Sequence, residues 1–190
     1  MLGAVAAVAA IAAAAPASPG PLATAPAGVE AIGCGSQSQA SFLHAFTSPT
    51  NVVVGPLAFV ALRDMRTVTS ENIFAHGGFK SPALVRPGHR VTISIDPPAR
   101  SFARLRYSHH GERPFARLPH TIRLVACDRA RAGSDVDGSP VTFFSGFFEL
   151  RRAPACVPMT ITVDRRAPRH LRLPVAHGAC GSARDASMRG

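Results

Sequence analysis

The chain has 190 residues and a net charge of +10, and arginine supplies almost all of the positive charge because Lys80 is the only lysine. This length predicts one domain together with any segments that are removed or disordered. Tryptophan is absent and Tyr107 is the only tyrosine, which argues against the aromatic platforms of carbohydrate modules and single-strand nucleic-acid binders. The charge predicts salt-dependent attraction to polyanions, although the codon bias of a GC-rich genome would also enrich arginine.

The first fifteen residues carry no charge and are apolar from Leu2 onward. Such a run is too short to span a bilayer as a stable helix and is typical of a secretory signal, with a low-complexity tail as the alternative. We expect a signal peptide over 1–17, with cleavage as late as residue 27, and no stable transmembrane span after cleavage. A Pro/Ala-rich spacer over 18–33, one β domain over 34–181 and a disordered tail over 182–190 complete the predicted organisation.

The first β signal covers 51–64, where Gly55-Pro56 divides two short strands or marks an edge. Residues 70–84 are predicted to be a loop. Later segments alternate apolar and polar residues with the period of a half-buried strand. These segments are 89–96, 102–107, 121–127, 159–164 and 171–175.

The segment 141–164 is predicted to form a hairpin at the centre of the domain, with Cys156 in the connection. Phenylalanines fall on both parities around Ser145-Gly146, so this part is either covered on both faces or bulged at the glycine. Seven or eight short strands without a major helix predict an all-β, antiparallel sandwich, immunoglobulin-like in the broad sense. A small β-barrel is the alternative.

Four widely spaced cysteines, with no C-x-x-C pair, predict disulfides rather than a zinc site. In a meander, Cys156 and Cys180 would lie at one end of the strands, and Cys127 at the other end, within reach of Cys34. We therefore favour Cys34–Cys127 and Cys156–Cys180 among the three possible pairings. A Greek key would reorder the strand ends.

Arginines on or beside the predicted strands are the most coherent surface feature, and several could share one sheet face that binds an anion. They are Arg104, Arg106, Arg123, Arg165, Arg166, Arg169 and Arg172. A basic face with few aromatic residues favours phosphate or carboxylate groups over sugars. A soluble arginine-rich face without a ligand is the alternative.

Other chemical patterns are weaker. His109, His110 and Glu112, with His120 nearby, have ligand types for zinc, copper or nickel but lack helical ligand spacing, so a solvated loop is favoured. Asp135 to Ser139 resembles a calcium loop without its distal glutamate and is better explained as a turn. Ser145 lacks the context of a nucleophile elbow, and no pattern calls for a catalytic residue, a resident metal or a cofactor.

The run VTFFSGFFELRRAPACVPMTITVD, followed by HLRLPVAHGACG, resembles the C-terminal half of small exported proteins of unknown function from high-GC soil actinobacteria. The similarity rests on the Phe-rich strand ending near Ser145-Gly146, the Cys156-Val157-Pro158 step and the closing Gly178-Ala179-Cys180-Gly181. Many members have tryptophan where this chain has Phe144. The resemblance implies an exported, disulfide-bearing β domain and carries over no catalytic residue.

Three functions follow as expectations. The first is a non-enzymatic secreted or wall-associated domain that binds an anionic cell-surface polymer or lipid headgroups, without reading nucleic-acid sequence. The second is an exported hydrolase with its site in the loops 76–90, 108–120 and 128–140, which requires a carboxylate beside His110 or His120. The third is a structural accessory module.

Overall fold

The computed structural model describes residues 29–40, 42–107 and 113–181. The predicted signal peptide and C-terminal tail lie outside the described residues. The first strand, β1 (Glu30–Ile32), lies inside the segment 18–33 that was predicted to be spacer, so the folded part begins earlier than expected.

The described chain is nearly all β, with thirteen strands in three sheets. The prediction of seven or eight strands missed four strands of two or three residues, at 30–32, 78–80, 83–85 and 133–134. It also treated 141–150 as one strand where the structure has two. The strands are β1 (Glu30–Ile32), β2 (Val52–Val54), β3 (Leu57–Phe59), β4 (Gly78–Lys80), β5 (Ala83–Val85), β6 (Arg90–Ile95), β7 (Ala103–Tyr107), β8 (Thr121–Val125), β9 (Gly133–Ser134), β10 (Pro140–Phe144), β11 (Gly146–Leu150), β12 (Ala155–Val163) and β13 (Arg169–Val175).

The first sheet has the strand order β1-β8-β6-β12-β13 and is antiparallel except for the pair β1–β8. Buried and half-buried residues alternate strictly along its central strands. On β6, Val91, Ile93 and Ile95 are fully buried while the residues between them are half-buried. On β12 the same alternation buries every second residue from Ala155 to Val163. Burial of one face of these long strands is what the period-2 sequence pattern predicts.

The second sheet has the order β2-β3-β5-β10-β9. Its first two strands form a hairpin around Gly55, whose φ is +57°, and this confirms the predicted division of 51–64 into two short strands. The inner strands β3 and β5 are buried at all three positions and therefore show no alternation.

The third sheet has the order β4-β11-β7. Its middle strand begins at Gly146, immediately after β10 ends at Phe144 in the second sheet. The chain therefore changes sheets at Ser145, and four of the five residues of β10 are buried. Of the two structures predicted around Ser145-Gly146, coverage of both faces is the one that β10 adopts.

The predicted central hairpin is wrong. The middle strand β11 pairs with β4 and β7, whereas β12 pairs with β6 and β13, so the two predicted arms lie in different sheets. Cys156 lies within β12 rather than in a connection. Of the predicted meander, only the step from β12 to β13 forms.

Helical structure is limited to one α-helix and four 3₁₀ turns among the described residues. Helix α1 (Ser70–Ala75) begins inside the predicted loop 70–84, where the Thr69 hydroxyl accepts a hydrogen bond of 3.1 Å from the Asn72 amide. The short strands β4 and β5 also occupy this segment. The 3₁₀ turns are Cys34–Ser36, Leu62–Arg66, Pro97–Ala99 and Phe115–Arg117.

One hydrophobic core joins the inner faces of all three sheets. Its largest fully buried side chains include Tyr107, Phe59, Phe144 and Phe148. The Tyr107 hydroxyl donates a 2.7 Å hydrogen bond to the Ser81 carbonyl, and burial raises the pKa of Tyr107 well above its ordinary value. The three sheets thus form an all-β sandwich, and none of them closes on itself.

Two disulfides connect Cys34 with Cys127 and Cys156 with Cys180, with S–S bonds of 2.04 and 1.97 Å. These are the two pairs favoured from the strand order. The first bond joins the chain just beyond β1 to the chain just beyond β8. No helix in the described part of the chain is long and apolar enough to cross a membrane.

Candidate anion-binding site

The seven predicted arginines do not share one face. Arg104 and Arg106 lie on β7 in the third sheet, whereas Arg123 on β8 and Arg172 on β13 lie on the outer face of the first sheet. Arg165 and Arg166 lie in the turn that follows β12, and Arg169 begins β13. The seven arginines therefore form three groups, and two of these groups are pairs that share a sheet face.

The densest group of guanidinium groups surrounds the ring of Phe115. The Arg104 and Arg151 Cζ atoms lie 4.7 and 4.2 Å from the centre of this ring, and we call these three residues the Phe115 cluster. Both distances are within the range of a cation–π interaction. The cluster brings two positive charges onto one aromatic side chain that is only 8% exposed.

Strand alternation explains how the two arginines meet. On β7, Ala103, Leu105 and Tyr107 point into the core, so Arg104 points outward. On β11 the core positions are Phe148 and Leu150. Continuing that alternation places Arg151 on the outer side, and its amide donates a 2.8 Å hydrogen bond to the Phe102 carbonyl beside β7.

Arg104 is held by backbone carbonyls rather than by an acid. Its Nη1 donates hydrogen bonds to the carbonyls of Arg100 and Ala103, the latter at 2.9 Å, while its Nε is buried without a hydrogen-bond partner. Burial lowers the pKa of Arg104, and the positive charge of Arg151 lowers it further. The two guanidinium groups therefore repel each other at a partly desolvated site.

One carboxylate lies opposite Arg104 in the ladder, but another arginine engages it. Glu149 pairs with Arg104 in register and forms an ion pair with Arg106. Glu149 is thus engaged by Arg106, and no carboxylate among the described residues forms an ion pair with Arg104 or Arg151, so positive charge is in excess at these two side chains. A bound anion would offset this excess and reduce the repulsion between Arg104 and Arg151.

More arginines flank the cluster. Arg152 lies 4.0 Å from the ring centre of Phe102, and Arg100 Nε donates a 2.8 Å hydrogen bond to the Ile95 carbonyl. His120 Nε2 lies 3.0 Å from the Arg100 carbonyl, to which it can only donate. Burial lowers the pKa of His120, and the charges of Arg104 and Arg100 also lower it while the hydrogen bond opposes them. The lowered pKa favours the neutral imidazole.

A cavity of 490 Å³ opens beside the Phe115 cluster. Arg151 and Glu149 contribute charges to its wall, and Phe74, which is 52% exposed, contributes an aromatic edge from α1. The remaining lining residues are Gly77, Phe115 and Leu150. The arrangement can accept an anionic group at Arg151 while an apolar part of the same ligand lies against Phe74 and Phe115.

The weaker sequence candidates for metal binding find no support in this part of the molecule. His109, His110 and Glu112 lie outside the described residues, and no group of three metal-ligating side chains occurs among those that are described. Asp135 Oδ1 accepts hydrogen bonds from the amides of Asp137 and Ser139, at 3.0 and 3.2 Å, so this segment is the predicted turn.

The hydrolase hypothesis requires a carboxylate partner for His120 or His110. The hydrogen-bond partner of His120 is a carbonyl, and arginine charges influence its pKa. His110 lies outside the described residues. The described loops thus provide no acid–base pair at His120.

The sequence reasoning missed Arg151 and Phe115. The sequence pattern could have predicted an outward Arg151, because this residue continues the outward parity of Phe147 and Glu149 past the end of β11. No sequence pattern marked Phe115, since it lies in a polar segment and a three-residue 3₁₀ turn brings it to the sheet. No family model, no curated protein and no solved structure matches this chain.

Proposed function

We propose that this protein is an exported, non-enzymatic domain that binds a phosphate- or carboxylate-bearing polymer at the cell surface through the Phe115 cluster. The observation that carries the proposal is the pairing of Arg104 and Arg151 on one ring without an ion-pair partner for either among the described residues. Guanidinium groups present flat, paired donors that match phosphate and carboxylate oxygens. A partly desolvated site strengthens that attraction.

Export is supported by two further observations. Both disulfides involve half-buried or buried cysteines, as expected for a domain that matures in an oxidising compartment. The uncharged apolar run at the N-terminus is of the kind that directs secretion. A cell-surface polymer with repeating negative charges is then the ligand class that this basic protein would meet first.

The proposal is tested by measuring the affinity for linear polyphosphate as a function of salt concentration. We expect Arg151→Gln to weaken binding about tenfold, the loss of roughly one charge-assisted contact. The slope of log affinity against log salt should become shallower by about 0.7 for each lost phosphate contact, the value for single strands. Arg151 is the variant of choice because its side chain lies over a ring and forms no hydrogen bond to any described residue.

Arg172→Gln is the matched control, because it removes the same charge from the exposed outer face of the first sheet. It should change affinity less than twofold. Equal losses in the two variants would mean that net charge alone attracts the polymer, and the proposed site would be wrong. Failure of the unaltered protein to bind either polyphosphate or polygalacturonate at low salt would also reject it.

A further inference from the structure

A second cavity, of 360 Å³, lies at one end of the sandwich, between the β2–β3 turn and the turn from β12 to β13. It shares no residue with the Phe115 cluster. Buried apolar side chains form its floor, and two arginines lie on its rim. The arginines are Arg166 and Arg169, the floor includes Ile161 and Val163, and Val54 and Pro168 form a wall.

The cavity exists because two ladders end at different points. Strand β12 stays paired with β6 as far as Val163, which lies opposite Val91. Its pairing with β13 stops earlier, at Ile161 opposite Arg169. The intervening residues 164–168 leave the sheet, so beyond Ile161 no strand pairs with β12 on its β13 side. The side chains of Ile161 and Val163 stay buried beneath this gap.

Arg169 occupies a position where the strand pattern calls for an apolar residue. It has the same parity as Leu173 and Val175, which are buried, yet it is exposed. An arginine at the first inward position of a strand can cover apolar surface with its methylene stem and keep its charge at the rim. The cavity therefore combines an apolar interior with a cationic opening.

The nearest acid does not neutralise this opening. Asp164 Oδ1 accepts a 2.9 Å hydrogen bond from the Arg90 amide, and Asp164 Oδ2 lies 2.9 Å from His89 Nδ1. The charge of Arg166 helps to lower the Asp164 pKa, but neither Arg166 nor Arg169 forms an ion pair within the described part of the chain. Both guanidinium groups keep donors for a ligand.

We infer that this cavity binds a small anionic amphiphile, namely a single alkyl chain that ends in a carboxylate or a phosphate. The alkyl chain lies against the accessible side chains of Val54 and Pro168, and the anionic head is held by Arg166 and Arg169. The volume falls within the roughly 300–1,000 Å³ of small-ligand sites. It equals about twelve times the ~30 Å³ that a water molecule occupies in the liquid, which suits a medium-length chain better than a bulky polycyclic lipid.

The test is an NMR titration of methyl-labelled protein with decanoate, decyl phosphate and the neutral decyl maltoside, each below its micelle concentration. The two charged probes should shift the methyl signals of Ile161, Val163 and Val54 in a saturable way. Decyl maltoside should bind at least tenfold more weakly. Equal binding of the neutral probe would overturn the role of the arginines, and no shift with either charged probe would overturn the site.

The variants separate this site from general electrostatics. Arg169→Gln should weaken decanoate binding about fivefold or more, while Arg165→Gln, in the same turn but outside the cavity lining, should leave it within twofold. An equal loss in both would reject a specific headgroup site. Val54→Phe, which places bulk in the cavity from the edge strand β2, should abolish binding, and circular dichroism would verify its fold. Should Val54→Phe not fold, comparison of Arg165→Gln with Arg169→Gln still tests whether the cavity binds the head group specifically.

The two charged probes distinguish a carboxylate head group from a phosphate head group. Saturable shifts with decanoate alone indicate a free fatty acid, and shifts with decyl phosphate indicate a phosphorylated lipid. Binding only to phosphatidylglycerol vesicles, without methyl shifts from any monomeric probe, would overturn the cavity proposal in favour of surface adsorption. Arg151→Gln should bind decanoate normally, so the two proposals fail or succeed separately.

Discussion

Asp164 begins the turn from β12 to β13 that borders the second cavity. Its backbone has a φ of +51°, a left-handed conformation that aspartate tolerates better than most residues. Its amide donates a 2.7 Å hydrogen bond to the Arg90 carbonyl, and its carboxylate contacts both the Arg90 amide and His89. One residue thereby joins the end of β12 to the start of β6.

The same contacts predict a pH dependence. Burial alone would raise the pKa of Asp164, but the hydrogen bonds from Arg90 and His89 outweigh it and hold the pKa below its ordinary value. A lowered folded-state pKa stabilises the protein above the unfolded pKa of about 3.9, and this contribution is lost as pH falls through the folded-state value.

Asp164→Asn, which keeps the backbone preference, should lower the free energy of unfolding by about 1 kcal/mol at pH 7, since the carboxylate is 36% exposed and partly screened.

Urea unfolding at pH 7, 5 and 3, followed by circular dichroism, measures this effect. The deficit of Asp164→Asn relative to the unaltered protein should shrink toward pH 3. Asp137→Asn is the control, because its carboxylate lies 3.6 Å from His44 on a more exposed surface. A deficit of the same size at all three pH values would show that the charge of Asp164 is not what stabilises the turn.

Among the strands, alternation predicted β6, β8, β12 and β13 of the first sheet, because their outer faces are half-buried or exposed while their inner faces are mostly buried. The short strands β3 and β5 have no such contrast, since both faces are covered, and three residues are too few to reveal a period. Helix α1 was missed for a related reason. Its six residues bury only Ile73, so no apolar stripe marks it, although Thr69 is a recognisable N-cap.

The predicted hairpin failed because a sequence pattern cannot show which sheet a strand joins. Phenylalanines on both sides of Ser145 predicted coverage on two faces, but the coverage comes from a change of sheet at that residue. The geometry of the candidate site also depends on which strands pair. Arg104 was predictable from its parity on β7, whereas its approach to Arg151 depends on the pairing of β11 with β7 rather than with β12.

The first residue of β11 allows a direct test of this sheet change. A methyl group on Gly146 would overlap the ring of Tyr107, which is fully buried and hydrogen-bonded through its hydroxyl to Ser81. Gly146→Ala should therefore lower the free energy of unfolding by about 3 kcal/mol, at the upper end of overpacking costs. Gly133→Ala on edge strand β9, where the nearest atom is 3.6 Å away, should stay within about 0.5 kcal/mol. Similar losses for both would argue against this packing of β11 on β7.

At the scale of the whole molecule, the two disulfides connect different distances along the chain. Cys34–Cys127 closes a separation of 93 residues and Cys156–Cys180 one of 24. The chain-entropy model assigns them about 4.6 and about 3.4 kcal/mol of stabilisation. The first bond also holds β1, which adds only three residue pairs to β8, at the edge of the first sheet.

Replacing Cys34 and Cys127 together with alanine should therefore destabilise the protein more than replacing Cys156 and Cys180. The difference should be about 1 kcal/mol from loop length, and larger because Cys127 is fully buried while Cys156 and Cys180 are only half-buried. Circular dichroism in urea is the suitable measurement, since the chain has no tryptophan.

Loss of the Cys34–Cys127 bond should also let the β1 amide hydrogens exchange faster with solvent, while those of β12 and β13 stay protected. The reverse order of stabilities would mean that the segment after β13, rather than β1, needs a covalent link to remain in place.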